Sequence, residues 1–227
     1  MSGKVYAIIP AGGVGSRMNS DIPKQFMKIN NRPMISYVLK AFEESQVDGI
    51  IIAVSDEYRD MLGEIIQEYG ISKFLCFVQN GKERVFSVKN ALDAVQDEDD
   101  YVLIHDAARP MVTPELIGHC IDGVKKHEAC LVAVPVKDTI KVVSEDMITD
   151  TPDRSILYAA QTPQCFRVKA LRDAYRKWEE EGEGFIPTDD ASLVEKYSDI
   201  PVRIIEGDEK NIKVTTPGDI KVVEMMR

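Results

Sequence analysis

The stretch "AIIPAGGVGSRMNSDIPKQF" (residues 7–26) joins an apolar run to a proline and three glycines, Gly12, Gly13 and Gly15. It then supplies two cations, Arg17 and Lys24. A continuous apolar run is how a strand covered on both faces reads. Glycine lets backbone come close to a ligand, and successive N–H groups in such a loop form a concave anion site. The stretch therefore predicts an interior strand that opens, at its carboxyl end, onto a bound anion.

The rest of the chain repeats the strand half of that pattern. "VYAII" (5–9), "GIIIAV" (49–54), "FLCFV" (74–78), "YVLI" (101–104), "ACLVAV" (129–134) and "VRII" (202–205) are strand candidates. Between them the apolar period becomes helical, as in Met34, Tyr37, Val38, Ala41 and Phe42. Leu62, Ile65, Ile66 and Tyr69 continue it, as do Val88, Ala91, Leu92 and Val95, then Ile117, Cys120, Ile121 and Val124, and Leu171, Ala174, Tyr175 and Trp178. Strand–helix alternation predicts an α/β fold: a doubly wound, mostly parallel Rossmann-like sheet. Ligands of such sheets bind outside the carboxyl ends of the strands.

Residues 133–166 break the alternation. "TIKVV" and "SILYAA" are β-type stretches around a polar turn segment, with no helix between them. They predict an antiparallel excursion, either a projecting β-arm or an ordinary surface hairpin. No linker or repeat interrupts the chain, so a single domain over 1–227 is expected, with no second enzyme fused after Arg227.

With net charge −10, the chain is a poor partner for nucleic acid or an anionic membrane. Any anion it binds needs a local cluster of cations or N–H groups. Cys76, Cys120, Cys130 and Cys165 lack metal-site spacing, and Cys76 and Cys130 read as core residues. The N-terminal apolar run is too short for a signal peptide or a membrane span. A cytoplasmic protein is expected.

The phosphate loop G-x-x-x-x-G-K-[ST] is absent. The dinucleotide fingerprint fits Gly13 and Gly15 but meets Met18 at its third glycine, and its acidic residue about 20 positions on is missing. What remains is Gly-Gly-x-Gly-x-Arg followed by Pro23-Lys24-Gln25. Arg17 can fork onto two phosphate oxygens, and Lys24 is a point charge. Asp106, after "YVLIH", is placed either to hold Mg²⁺ with substrate phosphates or to cap a turn. His105 reads as a hydrogen-bonded core residue, and His119 and His127 as helix surface. Asp189 and Asp190 read as a helix N-cap and a first-turn acid.

"PKQF", "RVFSVKNAL", "VLIHDAARP", "PVKDTIK", "AAQTPQCF", "TDDASLVE" and "NIKVTTPGDI" recur in that order in a known family. Over nearly its whole length the chain resembles the polyol-phosphate cytidylyltransferases, in their 2-C-methyl-D-erythritol 4-phosphate branch. The pair Gly12-Gly13 is also common in the related ribitol-5-phosphate enzymes, so ribitol 5-phosphate stands as an alternative substrate. A non-catalytic CTP sensor is a third reading.

The resemblance implies CTP binding by Pro10, Ala11, Gly12, Gly13, Gly81, Ser87, Asp106 and Ala107. Lys82 stands where relatives often carry an acidic residue, so only Gly81 and Ser87 of that segment are carried over, although Arg84 lies between them. Arg17 and Lys24 would act on the reacting phosphates, with Asp106 placing Mg²⁺ or another divalent cation. Arg109, Thr139, Arg154, Thr162 and Lys213 would hold the second substrate, with Arg154 and Lys213 also in the catalytic set. The arm would cross into a partner to make a homodimer with shared sites.

Overall fold

A computed structural model of the protein describes residues 3–13, 23–182 and 184–227. The first strand, β1 (Val5–Pro10), ends at the glycine loop. A small hairpin of β2 (Lys28–Ile29) and β3 (Arg32–Pro33) follows, turned by Asn30 and Asn31 at φ 46° and 65°. Asparagine is the non-glycine residue best suited to that left-handed turn. Then come α1 (Met34–Glu43), β4 (Gly49–Val54), α2 (Arg59–Glu68), β5 (Phe74–Gln79), α3 (Arg84–Asp93) and β6 (Tyr101–Ile104). The chain continues through α4 (Pro114–His127), β7 (Ala129–Pro135), β8 (Val142–Ser144), β9 (Met147–Asp150) and β10 (Tyr158–Arg167). It closes with α5 (Val168–Glu181), α6 (Asp190–Tyr197), β11 (Arg203–Glu206) and α7 (Pro217–Met226).

Seven strands form one sheet in the order β11-β7-β10-β6-β1-β4-β5. All neighbours are parallel except β10, which runs antiparallel to both β6 and β7. Every residue of β4 is buried, as its unbroken apolar run requires. Helices α1, α2 and α4 cover one face and α3, α5 and α6 the other, each over its own apolar cluster. From β1 the chain builds through β4 to the edge strand β5, then crosses back to β6 on the other flank of β1. That reversal leaves a crevice between the carboxyl ends of β1 and β6, where open α/β sheets bind ligands.

Two expectations need correction. Of the two β-type stretches of the arm, only "TIKVV" contributes to its hairpin, which pairs β8 with β9 around Glu145 and Asp146 at φ 48° and 62°. "SILYAA" instead ends a 3-10 turn, Arg154–Ile156, and begins β10, which re-enters the main sheet. β-propensity marks a segment as strand without naming its partner, and the tight turn at an acidic pair carried no glycine to announce it. Cys76 is also only half-buried, because β5 is an edge strand.

Candidate active site

The crevice is walled by Pro10, Gly12 and Gly13 after β1, by Gly81 and Ser87 around the start of α3, and by Asp106 and Ala107 after β6, with Lys24 and Lys213 facing them. A Cβ on Gly12 would lie 2.5 Å from the Asn80 side chain, whereas one on Gly13 would meet nothing within 4 Å among the described residues. The loop therefore packs tightly at its root. Gln25 Nε2 donates to the Ala11 carbonyl at 2.5 Å, tying the 3-10 turn Lys24–Phe26 to the loop. Lys24 Nζ lies 3.5 Å from the Val214 carbonyl. Arg17 and Gly15 lie outside the described residues.

Asp106 is the electrostatic centre. Its Oδ2 is 2.8 Å from Lys213 Nζ and 3.8 Å from Arg109 Nε, and its Oδ1 is 3.1 Å from Arg84 Nε. Burial alone would raise its pKa, but Arg84, Lys213 and Arg109 outweigh burial and hold the carboxyl well below the usual range. Arg84 reaches further, with NH1 2.7 Å from Oδ2 of Asp190, which is 1% exposed. Burial pushes the Asp190 carboxyl up, and Arg84 opposes this.

Beneath Asp106, Thr162 Oγ1 accepts from the Asp106 N–H at 3.1 Å and lies 3.0 Å from His105 Nδ1. His105 Nε2 faces the Arg109 carbonyl at 3.1 Å, which can only accept. The ring therefore carries its proton on Nε2, and the Thr162 hydroxyl donates to Nδ1. Burial lowers the His105 pKa to about 4, so the ring is neutral in the fold and serves as a strut.

The expected second-substrate residues separate into two groups. Lys213 reaches the crevice, while Thr162 supports it from below. The Arg109 guanidinium is turned onto backbone, donating to the carbonyls of Asn211 at 2.7 Å and Ala160 at 3.4 Å. Thr139 and Arg154 are exposed beside the arm, away from this chain's own crevice. Arg154 donates to the Lys137 carbonyl. The Ser87 hydroxyl accepts from Gly81 N–H at 3.0 Å and donates to the Glu83 carbonyl at 3.2 Å, so it shapes the loop at its rim.

Arg84 and Asp190 were not carried into the site from the sequence. One signal was available: Arg84 occupies the first position of a helix, where the macrodipole disfavours a cation. A cation there implies anions nearby.

The family model for IspD, 2-C-methyl-D-erythritol 4-phosphate cytidylyltransferase, matches residues 5–226. The chain belongs to this family. A relative of that name from Bacillus cytotoxicus is 45% identical over 218 residues, covering 96% of this chain and 95% of the relative. Another, from Lachnoclostridium phytofermentans, is 43% identical over 223 residues, or 97% and 95%. The crystal structure of 4-diphosphocytidyl-2C-methyl-D-erythritol synthase from Anaerococcus prevotii superposes with a TM-score of 0.87 at 29% identity, covering 99% of this chain and 96% of that one. The Francisella tularensis 2-C-methyl-D-erythritol 4-phosphate cytidylyltransferase gives 0.82 at 30% identity, over 99% and 100%. The membership favours the methylerythritol branch over the ribitol one.

The neutral His105 sets a pH dependence of stability. In the fold it binds fewer protons than in the unfolded chain between its ordinary pKa, near 6.5, and about 4. Its contribution is thus fully present above pH 6.5 and is lost as pH falls through that window, by on the order of 3 kcal/mol in all. Urea unfolding at pH 6.5 and pH 5 will show a smaller loss in His105→Gln than in the parent.

Proposed function

We propose that this IspD-family protein transfers the cytidylyl group of CTP to 2-C-methyl-D-erythritol 4-phosphate and releases pyrophosphate. The observation that carries this reading is the crevice at the β1–β6 reversal, where a glycine loop faces Lys24, Lys213 and the cation-bound Asp106. The attacking phosphate oxygen is already ionised near neutral pH, since a monoester's second pKa is about 6. The reaction needs no protein nucleophile. It needs two polyanions held in line while charge grows on the leaving pyrophosphate.

In this reading the N–H groups of the Gly12–Gly13 loop take CTP phosphates, while the rim from Gly81 to Ser87 meets the nucleoside. Arg17 and Lys24 act on the α-phosphate and the leaving group. A cation about 5 Å from a phosphoryl oxygen, at an effective dielectric near 20, contributes roughly 3 kcal/mol. If that gain appears only in the transition state, it is worth about a hundredfold in rate. Lys213 orients the attacking phosphate, and Arg109 braces the floor on which Asp106 sits.

The donor set suits Mg²⁺ in one way. Among the described residues no cluster of three or more metal-ligating side chains exists, and Asp106 Oδ1 is engaged by Arg84. Oδ2 is shared with Lys213, a 40% exposed side chain able to step aside. One carboxylate oxygen plus CTP phosphates and water is a set Mg²⁺ accepts. When bound, the ion neutralises phosphate charge.

A homodimer is part of the proposal. Val143, Met147, Ile148 and Ile156 on and beside the arm are 57–75% exposed. Apolar surface of that kind calls for a partner. Exchange of arms would bring Thr139 and Arg154 to the partner's crevice. No helix among the described residues is long and apolar enough to cross a membrane. Four free cysteines and net charge −10 support a cytoplasmic enzyme with no nucleic-acid or anionic-membrane partner.

With CTP and Mg²⁺, pyrophosphate release is expected with 2-C-methyl-D-erythritol 4-phosphate and not with ribitol 5-phosphate. Lys24→Ala is expected to lower kcat about a hundredfold with an unchanged melting temperature. A Lys24→Ala enzyme at parental speed removes the assignment. Shared sites make a separate prediction. Lys24→Ala and Arg154→Ala proteins, each nearly inactive, will recover about a quarter of parental activity when mixed and re-equilibrated, since half the dimers then hold one intact site. No recovery on mixing argues for sites built from one chain.

A further inference from the structure

We infer that Arg84 and Asp190 are positioning residues of this reaction: Arg84, in the crevice wall beside Asp106, is a two-ended clamp that fixes Asp106, and Asp190 fixes the clamp. The inference rests on the function proposed above and adds two residues to its machinery.

Arg84 opens α3, Asp190 opens α6 and Asp106 follows β6, so the clamp joins three elements at the ligand edge. One face of the guanidinium, Nε, meets Asp106 at 3.1 Å, and NH1 meets Asp190 at 2.7 Å. Asp190 is itself held by bonds that do not involve Arg84. Gln164 Oε1, from β10, accepts from the N–H groups of Asp190 and Ala191 at 3.0 Å each, and Gln164 Nε2 donates to Asp189 at 2.7 Å. Beyond the ion pair with Arg84, neither carboxylate oxygen of Asp190 has a hydrogen-bond partner among the described residues. The carboxylate is therefore aimed at Arg84 alone.

Holding two helices together does not require this. A buried ion pair costs desolvation on both sides, and apolar residues of similar volume usually pack as well or better. What the pair does that apolar packing would not is divide charge. Arg84 takes Oδ1 of Asp106 and leaves Oδ2 to Lys213, while Asp190 draws off part of the Arg84 charge. Lys213 Nζ already sits 2.8 Å from Asp106 Oδ2; without Arg84 the carboxylate charge would fall more heavily on Lys213 and hold its ammonium there against the attacking phosphate. Without Asp190, Arg84 would turn wholly onto Asp106 and displace Lys213.

Either change misplaces the group that orients the second substrate, and a shift of about 1 Å at such a group can cost a hundredfold. Arg84→Lys keeps the charge but cannot reach both carboxylates, and Asp190→Asn keeps the shape. In steady-state assays of pyrophosphate release, each should lose about tenfold or more in kcat/KM for the polyol phosphate. The KM for CTP, whose phosphates Asp106 also faces, should rise by a smaller factor than kcat/KM for the polyol phosphate falls. The double variant Arg84→Met/Asp190→Leu removes the Arg84–Asp190 pair together: the kinetic split should persist, with the melting temperature lowered only through the contact that Asp106 loses. Parental kinetics in the double variant, or equal losses toward both substrates, would overturn the inference while leaving the proposed function standing. Should the double variant fail to fold, the two near-isosteric single variants decide by the same kinetic split. A parent protein that releases no pyrophosphate overturns the functional proposal and this inference with it.

Discussion

A carboxylate with little access to water must be compensated by its neighbours, and in this protein the carboxylate of Asp106 organises the ligand edge around that need. Burial alone would drive it toward the neutral acid. Arg84, Lys213 and Arg109 keep it ionised, and each arrives from a different part of the chain. The consequence is structural as well as electrostatic. The start of α3, the loop after β6 and the segment before α7 are held in register by one group. In a chain of net charge −10, this is how cations are kept together next to the crevice.

The sheet topology makes that convergence possible. The reversal beside β1 opens the crevice, and β10, inserted antiparallel between β6 and β7, furnishes its floor. Because β10 runs backwards, its amino end lies at the edge where its neighbours have their carboxyl ends. The register shift between Ala160 and Gln164 then brings Thr162 beneath Asp106 and His105, while Gln164 caps α6. A buried, neutral His105 fits this role: it donates and accepts one hydrogen bond each and holds the floor without adding charge.

The arm is a different kind of structure. Among the described residues β8 and β9 pair only with each other, and all their residues are exposed. A two-stranded hairpin with apolar side chains in water is marginal alone. Its apolar surface is what makes a partner chain part of the functional reading. The separation of Thr139 and Arg154 from the crevice of their own chain follows from the same geometry.

The apolar runs determined the strands, because an unbroken run of β-type residues can be buried in few other ways. Val5–Pro10, Gly49–Val54 and Tyr101–Ile104 are read almost residue for residue. That Gly12, Gly13, Lys24, Asp106 and Lys213 meet at one sheet edge was legible too, since strand ends are where such sheets bind and motif order carried the resemblance. Helix α7 carried no clear periodic signal and was not read, and β9 lay inside what looked like a polar turn. Which strand pairs with which, and which way β10 runs, was decided by tertiary packing, because propensity is local and pairing is not. The same holds for Arg84 and Asp190. They stand 106 positions apart in sequence, and each alone resembles an ordinary helix-end charge. Only the folded chain sets them 2.7 Å apart beside Asp106, where the Asp190 carboxylate is buried and must find a cation.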